Sequence, residues 1–533
     1  MVSRARLVLI ALGLAPSLAA QVAQCPAQGL DLEVEGGRLG DAWSLAVTGP
    51  SSLPGLLGVD TGGGPTATPL GTVYLDLSPA AVFLPFALDP AGAFALGGTL
   101  AANPALDGQT LFLQALALDP SQPGLALFSA GVELELRAPR VYVVYRGILP
   151  TEPVFPAQVA AVNGLHDTVD FAVSFDQPEI RASVWLEEER CVVLAMTDGT
   201  LHCVDGVTGA VSSAPLNGAP AVPFRMAASE LPGLVAILFV GNSASPFEPM
   251  AVPAEVWLVS PATGVPLVQT VIAGDAHPEE LLLVPDTTRA FLRDGNEVLL
   301  VDYLAGSQIA SVDLGDAFGP VVDWALRSDR LLVLHEGLQA SPFTGLGGAP
   351  GAISEVDAST GQAIGAPHPL LDGVFPSFLR VGPGTVPESI YVYHPFPFGP
   401  PPFQSSLLEV DPVSFGFFDL VGIEGAVKDM ELSAGGTEWL LMQTGSVGGL
   451  FAPQLGRLWA MDPTTHAVVE VDQLPAELQG DLAALPSDTL RRAFVSSGPD
   501  QLYGVDTDPA AGPGAPITLP PAASSGATLL SDG

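Results

Sequence analysis

The residues of this chain best suited to chemistry are its seven histidines and the carboxylates beside one of them. His277 lies close to Glu279 and Glu280 in the sequence, and imidazole and carboxylate groups together are ligands for divalent metals. His368 is the other histidine that the repeat pattern described below places in a comparable connection. Two isolated histidines are also ordinary in solvated loops. We favour that interpretation and predict no metal site and no cofactor.

The sequence lacks the short motifs that mark common enzymes. It contains no Gly-x-Ser-x-Gly, no His-Glu-x-x-His and no phosphate-binding loop that ends in Gly-Lys. The glycine-rich runs Gly62–Pro65 and Gly345–Gly351 precede no helical pattern, which a phosphate or dinucleotide site requires. We therefore name no catalytic residue and favour a non-enzymatic function over an enzymatic one.

The chain is strongly acidic, with 57 acidic and 18 basic residues and a net charge of −39. Lys428 is its single lysine. A surface of this sign repels nucleic acid and anionic lipid, so we expect neither as a partner. The charge suits solubility in a saline exterior. A calcium site is the alternative, but no Asp-x-Asp-x-Asp-Gly loop is present.

Residues 1–20 have the pattern of a secretory signal peptide. Arg4 and Arg6 precede the apolar run Leu7–Leu14, and the small residues of Ser17–Ala20 follow. No later segment is long and apolar enough to predict a membrane helix. The mature protein, with a net charge of −41 once the two arginines are removed, is therefore expected outside the cytoplasm, either extracellular or periplasmic.

The three cysteines are too few for a disulfide scaffold. The residues before Cys25 do not form a lipidation signal, so we predict no lipid anchor. Cys191 and Cys203 flank the hairpin CVVLAMTDGTLHC. A two-residue turn at Asp198-Gly199 would put Cys203 opposite Leu194, on the other face from Cys191. A disulfide then needs another register, and two buried thiols are the alternative.

The segment Glu280–Leu314 shows the structural unit that must position any site. Four short apolar runs, separated by polar turns, predict strands a to d of an antiparallel sheet: Leu281–Pro285, Arg289–Arg293, Glu297–Asp302 and Gln308–Leu314. The third run and its turn recur seven times, at intervals of 42 to 55 residues. The residues at the shared position are Asp205, Ser260, Asp302, Asp357, Asp411, Asp462 and Asp506. An aspartate there can bond the amides of the turn, and the following Gly takes a left-handed conformation, so these residues are predicted to be structural.

Seven four-stranded units predict an all-β protein with a seven-bladed β-propeller, with the count open by one. The tail Ala527–Gly533 either pairs back onto the first blade or belongs to an incomplete eighth. The phrase Val-Asp-x-x-Thr-Gly, at Val204–Gly209 and Val356–Gly361, resembles the YVTN/NHL and the quinoprotein-like, WD40-like classes of bacterial propellers. Quinone-dependent members of that class carry a Trp soon after the Thr-Gly. The turns here lack it, which speaks against a quinone.

An N-terminal β-sandwich is predicted to precede the propeller. Short strands, several of period two, are predicted at Leu30–Val34, Ala42–Val47, Thr72–Leu77, Phe94–Leu100, Thr110–Leu118 and Gly131–Leu136, with a loop at Gly62–Pro65. The closing strands resemble a module of many large secreted bacterial proteins. The predicted organisation is a signal peptide at 1–20, a β-sandwich at 28–138, a junction at 139–176 and a propeller at 177–533.

The uneven repeat lengths point to a binding face. The second, fourth, fifth and sixth repeats carry long b–c connections, and in a propeller all b–c connections lie on one face. Their apolar residues form the candidate binding face: Pro246, Phe247, Pro342, Phe343, Tyr393, Phe396, Phe398, Phe403 and Phe451. The alternative is that these side chains fold inward, or cover the sandwich.

Three functions are consistent with these patterns. We favour a secreted, non-catalytic binding or surface-assembly protein whose partner is an unidentified protein or glycan. The alternatives are a metal-dependent hydrolase of the lactonase type, with the metal in the central channel, and a purely structural envelope component.

Overall fold

The computed structural model describes residues 29–531 except 69–70, 119–125, 147–155, 176–178, 242–251, 275, 339–347, 372–375, 396–403, 425, 434–435, 444–455, 475–480, 486–491, 498–500, 508–516 and 520–526. Within these residues the regular structure is β-strand, apart from one 3-10 turn at Pro104–Leu106. No helix among them is long and apolar enough to cross a membrane. The proposed signal peptide lies outside the described residues. The predicted all-β class is confirmed.

The N-terminal module is a sandwich of two antiparallel sheets with one added hairpin. Its first sheet has the order β1-β2-β7, its second β10-β8-β3-β6 with β9 also pairing β8, and β4 pairs β5. Leu45 and Val47 of the first sheet pack with Leu57 and Leu113 of the second in one apolar core. The strands are β1 (Asp31–Glu35), β2 (Ala42–Thr48), β3 (Pro54–Asp60), β4 (Gly63–Thr68), β5 (Gly71–Leu75), β6 (Val82–Ala87), β7 (Ala93–Thr99), β8 (Thr110–Leu118), β9 (Ala126–Phe128) and β10 (Val132–Glu135).

Two details of the sandwich differ from expectation. The glycine run Gly62–Pro65, interpreted as a loop, enters strand β4 at Gly63, because β5 supplies a hydrogen-bonding partner that the local sequence does not reveal. Strands β3 and β6 were not predicted. Their mixture of Gly, Pro and apolar residues hides the period of two on which strand prediction depends.

Seven four-stranded antiparallel sheets follow, each made of consecutive strands. We call them blades 2 to 8. Blade 2 contains β14 (Ile180–Leu186), β15 (Cys191–Met196), β16 (Thr200–Asp205) and β17 (Val211–Pro215); blade 3 contains β18 (Pro223–Ala228), β19 (Val235–Phe239), β20 (Glu255–Val259) and β21 (Pro266–Val271); blade 4 contains β22 (Glu280–Leu283), β23 (Arg289–Asp294), β24 (Glu297–Asp302) and β25 (Ser307–Asp313). Blade 5 contains β26 (Val321–Arg327), β27 (Arg330–His335), β28 (Ala352–Asp357) and β29 (His368–Pro369); blade 6 contains β30 (Phe378–Gly382), β31 (Ser389–His394), β32 (Gln404–Val410) and β33 (Phe417–Glu424). Blade 7 contains β34 (Val427–Leu432), β35 (Trp439–Gln443), β36 (Gly456–Met461) and β37 (Val468–Leu474); blade 8 contains β38 (Leu482–Ala484), β39 (Arg492–Ser497), β40 (Gln501–Asp506) and β41 (Ile517–Thr518).

An eighth sheet, blade 1, joins the two ends of the array. It contains β11 (Arg140–Tyr145), β12 (Ala157–Asn163) and β13 (Thr168–Phe175), and its first strand is the C-terminal β42 (Ala527–Ser531), which pairs with β11. Each blade shares an apolar cluster with each of its two neighbours, and blade 1 does so with blades 2 and 8. The described residues therefore form a closed ring of eight sheets.

The predicted number of seven blades is wrong by one, because the turn of blade 1 carries different residues. Asn163 replaces the repeat aspartate, and its Oδ1 accepts hydrogen bonds from the amides of Leu165 and His166. Asp167, which has φ +53°, stands at the position of the glycine that closes the other turns. Asn163 precedes Asp205 by 42 residues, which equals the shortest interval between the other repeats. Residues 139–176, assigned to a junction, thus contain three strands of a blade.

The predicted role of the repeat aspartate is confirmed where the turns are described. Asp357 Oδ1 accepts hydrogen bonds from the amides of Ser359, at 2.9 Å, and Thr360, at 2.8 Å. These bonds, with the Ser359 hydroxyl, lower the pKa of Asp357 to about 2. Gly361, with φ +67°, closes the turn by donating its amide to the Asp357 carbonyl.

Cys191 and Cys203 form a disulfide between β15 and β16, which decides between the two alternatives left by the sequence. The predicted register was off by one residue, since Cys203 lies opposite Val193 and not Leu194. The turn has three residues, Thr197 to Gly199, with Gly199 at φ +78°. This register puts both cysteines on the same face of the sheet, with their Cα atoms 5.8 Å apart.

Candidate functional site

The two faces of the ring differ in the connections that they carry. Strands alternate in direction within a blade, so connections from the second to the third strand share a face with those that lead into the next blade. We call this the b–c face and the opposite one the a–b face. The chain between second and third strands is long in blades 3, 5, 6 and 7, at 240–254, 336–351, 395–403 and 444–455, as the sequence predicted. It is also long in blade 1, at 146–156, which the sequence assigned to the junction.

The sandwich contacts the a–b face. Glu187, in the turn after β14, accepts hydrogen bonds from Arg137 at 2.9 Å and Arg38 at 3.4 Å. Arg190, in the same turn, pairs with Glu135 at 2.7 Å. These contacts lie at the end of the ring opposite the long b–c connections. They give no support to the alternative that those connections cover the sandwich.

Eight of the nine residues of the candidate binding face lie outside the described residues. They are Pro246, Phe247, Pro342, Phe343, Phe396, Phe398, Phe403 and Phe451. The ninth, Tyr393, is described and does not belong to an exposed surface. It is 2% exposed, and its ring stacks on Phe378 with the centroids 4.6 Å apart.

Tyr393 is buried because it lies within strand β31, every residue of which is buried, and not in the connection that follows. Its hydroxyl accepts a hydrogen bond from the amide of Val427 in blade 7 at 2.8 Å. Burial raises the pKa of Tyr393. The side chain therefore joins blade 6 to blade 7, in agreement with the alternative that some of these aromatic residues fold inward.

The first strands of the blades surround the axis of the ring. Contacts run from β34 through β38, β42, β14 and β18 to β22, and β26 contacts β30. Arg293 donates to the carbonyl of Val321 at 2.8 Å, which links blade 4 to blade 5. Arg380 links blade 6 to blade 7 by donating to the Met430 carbonyl. Side chains on these strands therefore determine what the axis offers to a ligand.

On the b–c face, the lining of the axis is charged. Arg380, on β30, pairs with Asp323 of blade 5 and with Asp429 of blade 7, each at 3.1 Å. Asp323 also accepts the amide of Leu379 at 2.7 Å. Burial raises the pKa of Asp323, although Arg380 opposes that shift. One arginine thus bridges three blades.

Two further carboxylates lie beside this bridge. Burial raises the pKa of Glu431 to about 7, and the negative charges of Asp429 and Asp481 add to the effect, while Arg380 opposes it. Burial also raises the pKa of Asp481, which accepts the amide of Leu529 on the closing strand at 3.2 Å. A group such as Glu431, which changes protonation near neutral pH, is suited to proton transfer or to a pH response.

The two histidines considered as metal ligands have other contacts. His277 lies on the b–c face, where its Nδ1 is 3.0 Å from the carbonyl of Gly241. His368 lies on β29, the outermost strand of blade 5, and stacks on Phe415 with the ring centroids 3.7 Å apart. Glu280 pairs with Arg293. In the described part of the chain, no three His, Cys, Asp or Glu residues are grouped so that they could hold a metal ion.

A Ser–His pair that the sequence did not suggest lies inside blade 5. The Nε2 atom of His335 is 2.9 Å from Ser354 Oγ, and its Nδ1 is 3.3 Å from the Gly319 carbonyl. That distance would suit a nucleophile and its base. His335 and Ser354 are 0% and 3% exposed, so no substrate can reach them, and burial lowers the pKa of His335. The pair stabilises the blade.

The axial charges were also missed at the sequence level. Asp323 and Asp429 are each the third residue of a first strand, β26 and β34, in which the pairing shifts by one residue, between Val321 and Asp323 and between Val427 and Asp429. The usable signal was a charged residue within an apolar run that opens a repeat. Neither residue type nor local period says that these positions meet at the axis.

Comparison with known proteins supports no family assignment. No family model matches the chain, and no curated protein matches it. Among solved structures, two of AztD from Citrobacter koseri are 11% identical and cover 74% of this chain and 98% of theirs, with TM-scores of 0.48 and 0.47. A eukaryotic initiation factor has the same identity and coverage, with a TM-score of 0.45. These values carry no argument about function. The class of protein follows from the ring of sheets, which is a β-propeller.

Proposed function

We propose that this is a secreted, non-catalytic binding protein that uses the b–c face of its propeller. The observation that supports the proposal best is that the two faces of the propeller carry different features. The sandwich contacts the a–b face through Glu187 and Arg190, whereas the extra chain length and the axial charges belong to the b–c face. A face with added loops on a rigid scaffold is where binding proteins carry their contacts.

The proposed partner is a protein or glycan that contacts the aromatic residues of the long connections. The test is to replace Phe396, Phe398 and Phe403 together with Ser and to measure binding to a glycan array and to bacterial surface polymers. We expect binding to fall at least about tenfold, since buried aromatic side chains dominate such contacts.

A matched control lies in the same blade. Val413, Phe417 and Phe418 are exposed, at 81%, 37% and 39%, and they lie in or next to the turn between the third and fourth strands, on the a–b face. Replacing these three with Ser removes a similar apolar area from the other face. Equal binding by both triple variants and the wild type, with folding intact, would remove the b–c face from consideration.

The lactonase-type hydrolase is the second candidate and is tested separately. It requires a divalent metal at the axis. Metal analysis of the purified protein, before and after dialysis against a chelator, measures this directly. A stoichiometric bound ion would favour the hydrolase over the binding protein, and a metal-free protein that still binds its partner would favour the binding protein.

A further inference from the structure

The arginines of this chain are almost all paired, as its excess of acidic residues would require. Arginines with a carboxylate within 4.0 Å are Arg38, Arg137, Arg140, Arg181, Arg190, Arg293, Arg327, Arg330, Arg380, Arg457 and Arg492. Arg289 donates to the carbonyls of Ala358 and Ser359. Within the described ranges, Arg146 and Arg225 join Arg289 in having no carboxylate at that distance. With 57 acidic residues available, the two that also lack the pair of carbonyl acceptors of Arg289 need a reason.

These two arginines lie on either side of the same strand, on the b–c face. Arg146 follows β11, and its carbonyl accepts the amide of Ile180 at the start of β14, at 2.8 Å. Arg225 lies near the start of β18, the first strand of the next blade, which contacts β14. Arg181, the next residue on β14, is already paired with Glu179 at 3.1 Å. Three arginines and one paired carboxylate therefore surround the start of β14.

The guanidinium of Arg225 is half-buried and poorly satisfied by the protein. It lies over the ring of Phe224, 4.5 Å from the ring centroid, and Nη1 donates to the carbonyl of the same residue at 3.2 Å. A guanidinium carries five N–H donors, so most of its hydrogen-bonding capacity is open. Burial lowers the pKa of Arg225, and the positive charges of Arg146 and Arg293 lower it further, against the opposing charges of Glu280 and Glu279. The two arginines are thus near enough to repel each other.

We propose that Arg146 and Arg225 form a binding site for the oxyanion of a small ligand, a carboxylate or a phosphate group, beside the axis on the b–c face. An anion between them would relieve the repulsion and accept the planar, two-pronged hydrogen bonds that guanidinium groups offer. The site rests on the proposed function only in using the same face, and it adds the chemical class of the ligand.

The test uses citrate and inorganic phosphate as separate probes. Isothermal titration into the full-length mature protein, at constant ionic strength set with sodium chloride, should show saturable binding of at least one probe. A response to citrate alone identifies a carboxylate site, and a response to phosphate alone identifies a phosphate site. The absence of saturable binding for both probes overturns the proposal.

Variants locate the site and separate it from folding. Arg225→Gln and Arg146→Gln should each lower the affinity at least about tenfold, since each removes a charge-assisted contact. Arg289→Gln, on the a–b face, is the control and should leave the affinity unchanged. Without the probe, Arg225→Gln should melt at or above the wild-type temperature because it breaks no ion pair, whereas a purely structural arginine would lower it.

The outcomes separate this site from the aromatic face. Retained affinity in both arginine variants, or an equal loss in Arg289→Gln, would mean that the anions bind elsewhere, and would overturn the proposal. The Phe396, Phe398 and Phe403 variant should still bind the anion. If it does while partner binding is unaffected, the anion site stands and the proposed use of the long connections fails.

Discussion

At the scale of single residues, the axis of the propeller is organised by charge. Arg380 satisfies Asp323 and Asp429 from the two neighbouring blades, while Glu431 has no arginine of its own among the described contacts. A carboxylate buried beside two others is held in the folded state at a free-energy cost whenever it is ionised. Because of that cost, replacing Glu431 with a neutral residue should stabilise the folded protein at neutral pH.

We predict that Glu431→Gln is more stable than the wild type at pH 8, by on the order of 2 kcal/mol. The pKa of Glu431 rises from 4.5 to about 7 on folding, so the folded state binds a proton that the unfolded state has lost between these values. Stability from this group is therefore present below pH 4.5 and is lost as the pH rises to 7. Urea denaturation at pH 5 and pH 8 measures the difference.

The control for this prediction is Glu188→Gln, which removes the same charge from an exposed turn. It should shift stability little at either pH. A Glu431→Gln variant whose advantage over the wild type is the same at pH 5 and pH 8, or absent at both, would contradict the assigned environment.

At the scale of elements, the repeat turns show how one backbone geometry accepts different sequences. The residue that closes each repeat turn in the described part of the chain has positive φ, and Gly209, Gly264, Gly306 and Gly361 are suited to it. His466 takes that position in blade 7 with φ +57°. A side chain in this conformation costs about 1 kcal/mol relative to Gly, so it requires a compensating contact.

The compensating contact of His466 crosses between blades. Its Nε2 is 2.7 Å from Oε2 of Glu409, a carboxylate of blade 6 with 0% exposure. Glu409 also accepts the amide and the hydroxyl of Thr385, at 2.6 and 2.7 Å. His466 therefore places a ring nitrogen against a fully buried carboxylate, and the turn serves as an interblade contact.

We predict that His466→Gly destabilises the protein, although it relieves the backbone. The loss of a partner to a buried carboxylate costs on the order of 3 kcal/mol, against the gain of about 1 kcal/mol in the turn. Asp286→Gly is the matched control, because Asp286 has φ +56° in an exposed turn. Thermal unfolding should show a lower midpoint for His466→Gly and an equal or higher one for Asp286→Gly. A more stable His466→Gly would refute the interblade role.

At the scale of the whole molecule, the C-terminal strand closes the ring. β42 pairs with β11 and brings Leu529 into the cluster shared by blades 1 and 8. The amide of Leu529 also bonds Asp481 of blade 8. Without β42, blade 1 would lose its first strand and expose the edge of β11.

We predict that Leu529→Ala lowers the free energy of unfolding by about 2–4 kcal/mol, as expected for a buried leucine. Truncation after residue 519 should have a larger effect, with loss of cooperative unfolding and self-association through the open edge. Truncation after Ser531 removes only the last two residues and is the control. Chemical denaturation and sedimentation measure both effects. A monomeric, cooperatively unfolding protein truncated after residue 519 would contradict the closure.

The extent of sequence-based prediction follows from which interactions are local. In blade 4, the four predicted runs match β22 to β25 within two residues at each end, because alternating apolar residues and Asp–Gly turns are local signals. Blade 1 was missed because Asn163 and Asp167 replace the residues of the turn. Its first strand also comes from the other end of the chain, which no local pattern reveals.

The candidate site divides in the same way. The sequence by itself determined the all-β class, the repeat, the structural role of the repeat aspartates and the connections that are long, since each depends on neighbours within a few residues. The tertiary structure alone decided that Tyr393 is buried, that Arg380 meets Asp323 and Asp429 at the axis, and that Arg146 and Arg225 are left without carboxylates. These outcomes depend on closing the ring, which brings together residues dozens to hundreds of positions apart.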